Sequence, residues 1–306
     1  MIDRDEVGAW LRLLGTPQLG RESARKLLAA FGSPQAVIDA STRARLEVVG
    51  PTHAAALATP PEGIDVLVAK TFAWLEADAP EPRALIPLGD PRYPRALLDS
   101  ADPPILLYAQ GRIELLQGDS IAVVGSRNPT PHGSDNAHAF SHHLSDAGLA
   151  IVSGLALGID AAAHAGGLEG AGSTIAVIGT GLDRVYPRRN LSLAHRIAGS
   201  GLIVSEYALG TPALAAHFPL RNRIIAGLAR GTLVVEAALQ SGSLITARLA
   251  NEAGREVFAI PGSIHSPQSR GCHALIKQGA KLVETAHDIL EELRLPGPPA
   301  AVASPA

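Results

Sequence analysis

The sequence predicts an α/β fold in which a doubly wound, mostly parallel sheet follows a small all-α unit. Apolar runs of strand length recur between residues 121 and 283 and alternate with segments of helical periodicity, a pattern typical of parallel βαβ units. Residues 1–80 instead carry apolar side chains three and four positions apart, with Gly or Pro at the segment ends, as short helices do. We therefore expect a helical unit over 1–80, a sheet domain over 81–292 and a Pro/Ala-rich tail over 293–306.

Composition narrows the class of protein. With 306 residues, 46% of them hydrophobic, the chain can bury a sizeable core. Its single cysteine, Cys272, excludes an internal disulfide and fits a reducing cytoplasm. The first residues lack the apolar core of a signal peptide, and no apolar run approaches the roughly 20 residues of a membrane span. We expect a cytoplasmic protein without membrane association, and a net charge of −3 means that nucleic-acid binding would need a local basic patch.

The N-terminal helices are predicted at residues 9–15, 21–32 and 33–40. The turn at Gly20 precedes a helix that carries Arg21, Arg25 and Lys26, and it resembles the hairpin of helix-hairpin-helix and SAM-like modules. In such hairpins the backbone N–H groups at the glycine meet a DNA phosphate. The alternative is an ordinary helical bundle whose cations face solvent, and both interpretations stay open.

Seven strands are predicted downstream of a Pro-rich stretch at 78–94, at residues 121–125, 150–153, 174–178, 202–204, 232–236, 257–260 and 281–283. Segments of helical pattern, such as 134–148 and 191–201, lie between them. Strands that alternate with helices form a parallel sheet with helices on both faces, and such sheets bind ligands beyond the carboxyl ends of their strands.

Glycines beside hydroxyls or a cation follow three of these strands and are the candidate phosphate-binding residues: Gly125, Ser126 and Arg127, then Gly154, and later Ser241, Gly242 and Ser243. Glycine lets an anion approach the backbone, and helix N-termini present N–H groups and a positive dipole. Arg127 would add a charge-assisted hydrogen-bonding fork. A solvent-exposed turn and plain helix caps are the alternatives.

Two segments concentrate positive charge. Residues 183–196 carry four arginines against one aspartate, and residues 217–231 carry three arginines and no acid. Such patches can overcome a weak global charge within a Debye length of about 10 Å. Tyr186 and Phe218 lie beside these cations, either as stacking platforms for bases or as core residues.

Other site chemistries receive little support. The near-match to a dinucleotide fingerprint at Gly179 has Arg184 in place of its third glycine. Eleven histidines are scattered without zinc-type spacing, so we expect neither a metal nor a cofactor. Asp160 and His164 are four residues apart on a predicted helix, and we expect them to be structural or phosphate-facing rather than catalytic.

Taken in order, the motifs IAVVGSRNPTPHG, VSGLALGIDAAAH, VIGTGLDRVYPRRN, HFPLRNRIIAGLARG, VVEAALQSGSLITA and GCHALIKQGAKLV resemble the DNA-processing DprA (Smf) family. The resemblance covers roughly residues 85–290. It implies an extended Rossmann-like fold after a SAM-like domain, and a non-catalytic homodimer that binds and protects single-stranded DNA and loads RecA during natural transformation.

The resemblance also assigns residues. It implies DNA or phosphate contacts by Ser126, Arg127, Arg188, Phe218, Arg221 and Arg223. Further candidate contacts from the same segments are Gly125, Gly154, Arg189, Asn190, Asn222, Ser241, Gly242 and Ser243. Ile276 and Leu282 would form an apolar dimer interface, with intramolecular core as the alternative. Some relatives carry a lysine where this chain has Ala215, and the winged-helix-like C-terminal domain of many relatives is not expected here. The enzymatic alternative is a nucleoside phosphate hydrolase of the LOG type, with Glu236 as its carboxylate.

Overall fold

A computed structural model describes residues 2–295 of the chain; residues 296–306 of the predicted tail lie outside the described residues. Six helices precede the first strand: α1 (Arg4–Gly15), α2 (Arg21–Phe31), α3 (Pro34–Asp39), α4 (Thr42–Leu46), α5 (Pro51–Ala56) and α6 (Ile64–Glu76). The predicted helices at 9–15, 21–32 and 33–40 correspond to α1, α2 and α3. Ser33 begins α3 by accepting a hydrogen bond from the backbone N–H of Ala36, with Pro34 in the first helical position.

Within residues 2–295, nine strands form one sheet: β1 (Arg83–Pro87), β2 (Leu106–Gly111), β3 (Ser120–Val124), β4 (Ala150–Ser153), β5 (Thr174–Val177), β6 (Leu202–Ser205), β7 (Gly231–Val234), β8 (Glu256–Ala259) and β9 (Lys281–Leu282). Their order is β1-β2-β6-β5-β4-β3-β7-β8-β9. All seven strands predicted from the sequence are present and pair in parallel. The sheet is longer than predicted, because β1 and β2 add two antiparallel strands at its β6 edge.

The remaining helices cover the sheet: α7 (Arg95–Leu98), α8 (Pro131–Asp146), α9 (Ile159–Gly167), α10 (Leu191–Ser200), α11 (His217–Leu228), α12 (Ser243–Glu252), α13 (Arg270–Lys277) and α14 (Ala286–Glu292). Alternate residues of each strand face opposite layers. Within β3, Ala122 and Val124 pack with α7, α11, α12 and α13, whereas Ile121 and Val123 pack with α8, α9 and α14. The predicted doubly wound architecture is confirmed.

The N-terminal helices pack against the added strands. Leu13 and Leu27 belong to one buried cluster with Leu85 of β1 and Tyr108 of β2. Apolar burial of this kind is the main force that attaches a helical unit to a sheet. Among residues 2–295, no helix has both the length and the apolar character needed to cross a membrane.

Candidate nucleic-acid interface

A cleft of about 590 Å³ opens where the strand order reverses. From β3 the chain builds the sheet outwards through β4, β5 and β6, and it then returns to place β7 on the other side of β3. The carboxyl ends of β3 and β7 are therefore adjacent, with Val124 opposite Val234. This switch point is where doubly wound sheets bind ligands. The predicted site residues that line the cleft are Gly125, Ser126, Arg127, Phe218, Arg221, Asn222, Ser241, Gly242 and Ser243.

The turn after β3 is tightly packed. A Cβ on Gly125 would lie 2.7 Å from a side-chain carbon of Ile159 and 2.8 Å from the carbonyl oxygen of Glu236, so this position requires glycine. The backbone N–H of Ser126 donates to that same carbonyl at 2.7 Å. Because the Glu236 carbonyl already accepts from it, this particular N–H is not free to bind a phosphate. Within this turn, Ser126 and the exposed Arg127 line the cleft.

Three side chains form an aromatic shelf at the rim of the cleft, which we define as Tyr186, Phe218 and Arg127. The rings of Tyr186 and Phe218 are stacked, with centroids 5.4 Å apart and planes inclined by 30°. The guanidinium carbon of Arg127 lies 6.0 Å from the Phe218 centroid, within the range of a cation–π contact. Tyr186 is 52% exposed, so it is not a core residue, and the shelf presents π faces and a cation to the solvent.

Phe218 is held in the first turn of α11. Pro219 follows it, and proline is tolerated there because first-turn N–H groups have no intrahelical acceptor. The preceding residue, His217, stacks on Tyr207 with centroids 4.0 Å apart, and its Nδ1 lies 3.1 Å from the carbonyl oxygen of Gly179. Contacts from two other loops thus fix the start of α11 and the ring that it carries.

Arg221 is a buried cation at the base of the cleft. It is 4% exposed, and its Nη1 donates to the carbonyl oxygen of Val177 at 2.7 Å. Gly154 makes room for it, because a Cβ at that position would overlap the guanidinium. Burial lowers the pKa of Arg221 to about 10, against the opposing charge of Asp160, so the side chain is cationic at neutral pH. The floor of the cleft therefore contains a buried cation with Asp160 close by.

Asp160 and His164 are both hydrogen-bonded within the protein, and Asp160 also lines the cleft. Burial raises the pKa of Asp160, whose Oδ2 accepts from the backbone N–H groups of Gly154 at 3.1 Å and Ala156 at 3.2 Å. His164 is fully buried; its Nε2 accepts from the N–H of Leu155 and its Nδ1 lies 2.7 Å from the hydroxyl of Thr174. Burial lowers the pKa of His164 to about 3, which leaves the ring neutral.

The third glycine turn faces the cleft from the far side. Gly242 precedes the first residue of α12, and the hydroxyls of Ser241 and Ser243 lie 2.7 Å apart. The amide of Asn222 reaches across from α11 to the carbonyl oxygen of Gly242 at 3.4 Å. A ten-residue helix therefore begins in the cleft with two hydroxyls beside its N-terminus, an arrangement that favours anions.

Arg188 and Arg189 are exposed and lie outside the cleft, in a short 3-10 helix at Arg188–Asn190. This helix closely follows Tyr186 along the chain. Asn190 is buried, and its amide donates to the carbonyl oxygens of Leu155 and Ala156 at 3.0 and 3.1 Å. It therefore ties this loop to the loop after β4. Asp183, the acid of the basic segment 183–196, is paired with Lys70 at 2.6 Å, so its charge is already balanced.

The second basic segment is not a solvent-facing patch, and the expectation that residues 217–231 form one is wrong. Arg221 is buried as described above. Arg223 is paired with Asp102 and Glu206. Arg230 lies next to Asp119 at the opposite, amino-terminal edge of the strands, with 3.2 Å between Nη1 and Oδ2. Of these three arginines, only Arg221 lines the cleft.

The two predicted interface residues lie near the far edge of the sheet. Leu282 belongs to the edge strand β9 and is 45% exposed. Ile276, on α13, is partly buried against the core of its own chain. An exposed leucine on an edge strand is a surface that a second chain can cover.

Glu236 is hydrogen-bonded to Thr130, the residue that caps the N-terminus of α8. Its carboxylate accepts from the backbone N–H of Thr130 at 2.9 Å and from the Thr130 hydroxyl at 2.6 Å, while that hydroxyl caps the helix at Gly133. Glu236 does not appear among the residues that line the cleft. Within residues 2–295, no group of three His, Cys, Asp or Glu side chains is arranged to hold a metal ion.

This fold and this cleft define a doubly wound α/β protein that presents cations, hydroxyls, aromatic faces and a helix N-terminus at the switch point of its sheet. Residues 84–294 match the family described as DNA recombination-mediator protein A, and the chain belongs to that family. It is 51% identical over 203 residues to the DNA processing protein DprA of Streptococcus pneumoniae, a match that covers 66% of this chain and 72% of that protein. It is 43% identical over 299 residues to protein Smf of Escherichia coli, covering 96% of this chain and 76% of that protein.

Solved structures agree with this assignment. The X-ray structure of DprA from S. pneumoniae superposes with a TM-score of 0.81 at 39% identity and covers 93% of this chain and 97% of that one. A structure of DNA processing protein A from Helicobacter pylori, which addresses the single-stranded DNA binding mode of that protein, gives a TM-score of 0.63 at 30% identity. It covers 69% of this chain and 95% of the H. pylori chain.

Proposed function

We propose that this chain is a cytoplasmic, non-catalytic protein that binds single-stranded DNA through the cleft between α11 and α12. The observation that carries the proposal is the aromatic shelf, with its two stacked rings and its guanidinium. The exposed Arg188 and Arg189 follow Tyr186 closely along the chain. Unpaired bases stack on such rings in a sequence-tolerant way, and neighbouring cations follow the sugar–phosphate backbone. The H. pylori relative, whose structure concerns single-stranded DNA binding, supports the same ligand.

The shelf favours single strands over duplexes. Its rings stack face to face with each other, and Tyr186 is half exposed at the rim. A base can add to this stack only when its own face is free, which is not the case inside a duplex. Phosphates would then lie on Arg127 at one wall and on the Ser241–Ser243 turn at the other, with the buried charge of Arg221 below. In this proposal the cleft binds one part of a longer DNA strand.

The enzymatic alternative, a nucleoside phosphate hydrolase that uses Glu236, is less well supported. A general acid or nucleophile must reach the substrate. The Glu236 carboxylate instead accepts two hydrogen bonds at the start of α8. In the binding proposal this carboxylate stabilises the helix N-terminus.

The family relationship extends the proposal to biology. A recombination mediator that holds single strands in an open cleft can protect them and transfer them to a recombinase. We propose that this chain loads RecA during natural transformation and acts as a homodimer through the surface around Leu282. The exposure of Leu282 on the sheet edge supports the dimer.

Fluorescence anisotropy with a labelled dT oligonucleotide and with a duplex of equal length tests the proposal. We expect tighter binding to the single strand and a steep loss of affinity with rising salt. A parallel assay for free base released from nucleoside monophosphates should give no turnover. Equal affinity for duplex, or base release that Glu236→Gln abolishes, would reject the proposal.

A further inference from the structure

Five charged side chains meet where the N-terminal helices contact the sheet domain, and we call this group the charge cluster: Arg21 and Arg25 of α2, Asp102, Glu206 and Arg223 of α11. Asp102 is its centre. One of its oxygens accepts from Arg21 Nη2 at 2.7 Å and from Arg223 Nε at 2.9 Å, and the other lies 2.6 Å from Arg25 Nη1. Glu206 pairs with Arg223 as well. The guanidinium groups of Arg21 and Arg25 therefore pair with a carboxylate of the sheet domain, so these two cations are not a purely solvent-facing surface.

The cluster is shielded from solvent where it contacts α11. The side chains of Glu206 and Arg223 are 8% and 12% exposed. Burial acts to raise the pKa of Asp102, but hydrogen bonds from Arg21 and the charge of Arg223 hold it at about 2. Pairs in such surroundings are screened less than surface pairs. Removal of one partner leaves a charge incompletely compensated, so the geometry of the cluster is strongly specified.

Arg223 connects this cluster to the aromatic shelf through a single helix. Phe218 precedes it by five residues on α11, which corresponds to about 7.5 Å along the axis. Residues 206–207 contact α11 at both points, because Glu206 pairs with Arg223 and the adjacent Tyr207 stacks on His217 beside Phe218. A second link reaches the other half of the shelf, since Lys70 of α6 binds Asp183 in the loop that carries Tyr186.

We propose that the N-terminal helices set the geometry of the aromatic shelf, with Arg21 and Arg25 acting through Asp102 as positioning residues for α11. The proposal rests on the proposed function, because the shelf is the part of that DNA site that it concerns. The helices touch no DNA in this account. They hold α11 in the position that stacks Phe218 on Tyr186. A partner that displaced the N-terminal helices from the sheet would therefore weaken DNA binding without touching the DNA site.

One substitution tests the proposal, because electrostatics and positioning predict opposite effects of Asp102→Asn on DNA affinity. Asp102→Asn removes a negative charge close to a polyanion site, so electrostatics alone would strengthen DNA binding. Loss of positioning would weaken it instead, by roughly 3- to 30-fold if it follows the range of couplings carried by packed networks. Glu22→Gln is the matched control, because it removes one acid from the solvent face of α2, where Glu22 is 77% exposed and pairs only within the helix with Lys26.

The experiment measures the Kd for a labelled dT oligonucleotide at several salt concentrations, with thermal unfolding in parallel. We expect Asp102→Asn to bind more weakly with an unchanged salt slope, because no phosphate contact is lost, and Glu22→Gln to bind like the unsubstituted chain. In a Phe218→Ala background, the effect of Asp102→Asn should shrink to within about twofold. If Asp102→Asn does not fold, Glu206→Gln offers the same charge change at the same cluster and the same expected weakening.

Unchanged or tighter binding by the folded Asp102→Asn chain would overturn the inference. The inference would also be overturned if Asp102→Asn reduced DNA affinity equally with and without the Phe218 ring. These outcomes differ from a failure of the proposed function, in which the unsubstituted chain does not bind the oligonucleotide or Phe218→Ala leaves its affinity intact.

Discussion

Removal of the Phe218 ring is the perturbation that tests the aromatic shelf most sharply. In the free protein the ring stacks on Tyr186 with centroids 5.4 Å apart and lies 6.0 Å from the Arg127 guanidinium. Each base stacked on an aromatic side chain contributes about 1–3 kcal/mol to binding. Since RT is about 0.59 kcal/mol, Phe218→Ala should raise the Kd for a dT oligonucleotide by about 5- to 150-fold.

Anisotropy titrations at one fixed salt concentration measure this effect, with thermal unfolding recorded on the same samples. Phe218→Leu retains most of the apolar volume but lacks the π face, so it should weaken binding nearly as much as Phe218→Ala. Phe140→Leu is the control, because Phe140 packs inside the opposite layer and its loss should lower the unfolding temperature without changing the Kd. If Phe218→Ala lowers stability while the Kd remains the same, the ring is a packing residue and the stacking argument is refuted.

Three further predictions concern the dimer, the pH dependence and the enzymatic alternative. Leu282→Asp places a charge on the exposed edge strand and should convert a dimer to a monomer in sedimentation velocity; a dimer that persists would locate the interface elsewhere. The buried ring of His164 has a pKa near 3, below the unfolded value of about 6.5, so the unfolded chain binds the extra proton between these values. Stability should fall by about 1–2 kcal/mol from pH 6.5 to pH 5 on account of this ring. Denaturant titrations should show a smaller loss of stability on acidification for His164→Gln, and an unchanged loss would contradict the burial argument. Glu236→Gln should cost about 1 kcal/mol of stability, through its weaker interaction with Thr130 at the start of α8, and leave the Kd for DNA unaltered, whereas a large loss of affinity would place the carboxylate in the binding site.

The sheet was predictable from the sequence because its parallel strands are buried on both faces. Such strands appear as continuous apolar runs that end at glycine, and all seven were located. The added strands β1 and β2 were not assigned as strands. They lie around a Pro-rich stretch and pair antiparallel, outside the βαβ alternation on which the prediction depended.

The cleft was predictable for a related reason. In a parallel sheet, the residues that follow each strand meet at one edge, so the turns at 125–127 and 241–243, which follow β3 and β7, were expected at the same edge. Contacts between distant segments were not predictable. Arg223 donates hydrogen bonds to Asp102, 121 residues away in the sequence, and to Glu206, 17 residues away. No local sequence pattern predicts these pairings. The hydrogen bond from the N–H of Ser126 to the carbonyl oxygen of Glu236 was not predictable either, because the two residues are 110 positions apart in the sequence.

The proposed binding of the sugar–phosphate backbone of single-stranded DNA in the cleft is tested by the salt dependence of DNA affinity in the Arg127→Ala chain. Arg127 is exposed after the end of β3, with its guanidinium over the Phe218 ring, so its removal should leave the fold intact. A lost phosphate contact reduces the slope of log Kd against log salt by about one unit, and it weakens binding to all sequences alike. We predict a weaker Kd for poly-dT with this shallower slope, and an unchanged slope together with an unchanged Kd would contradict the account.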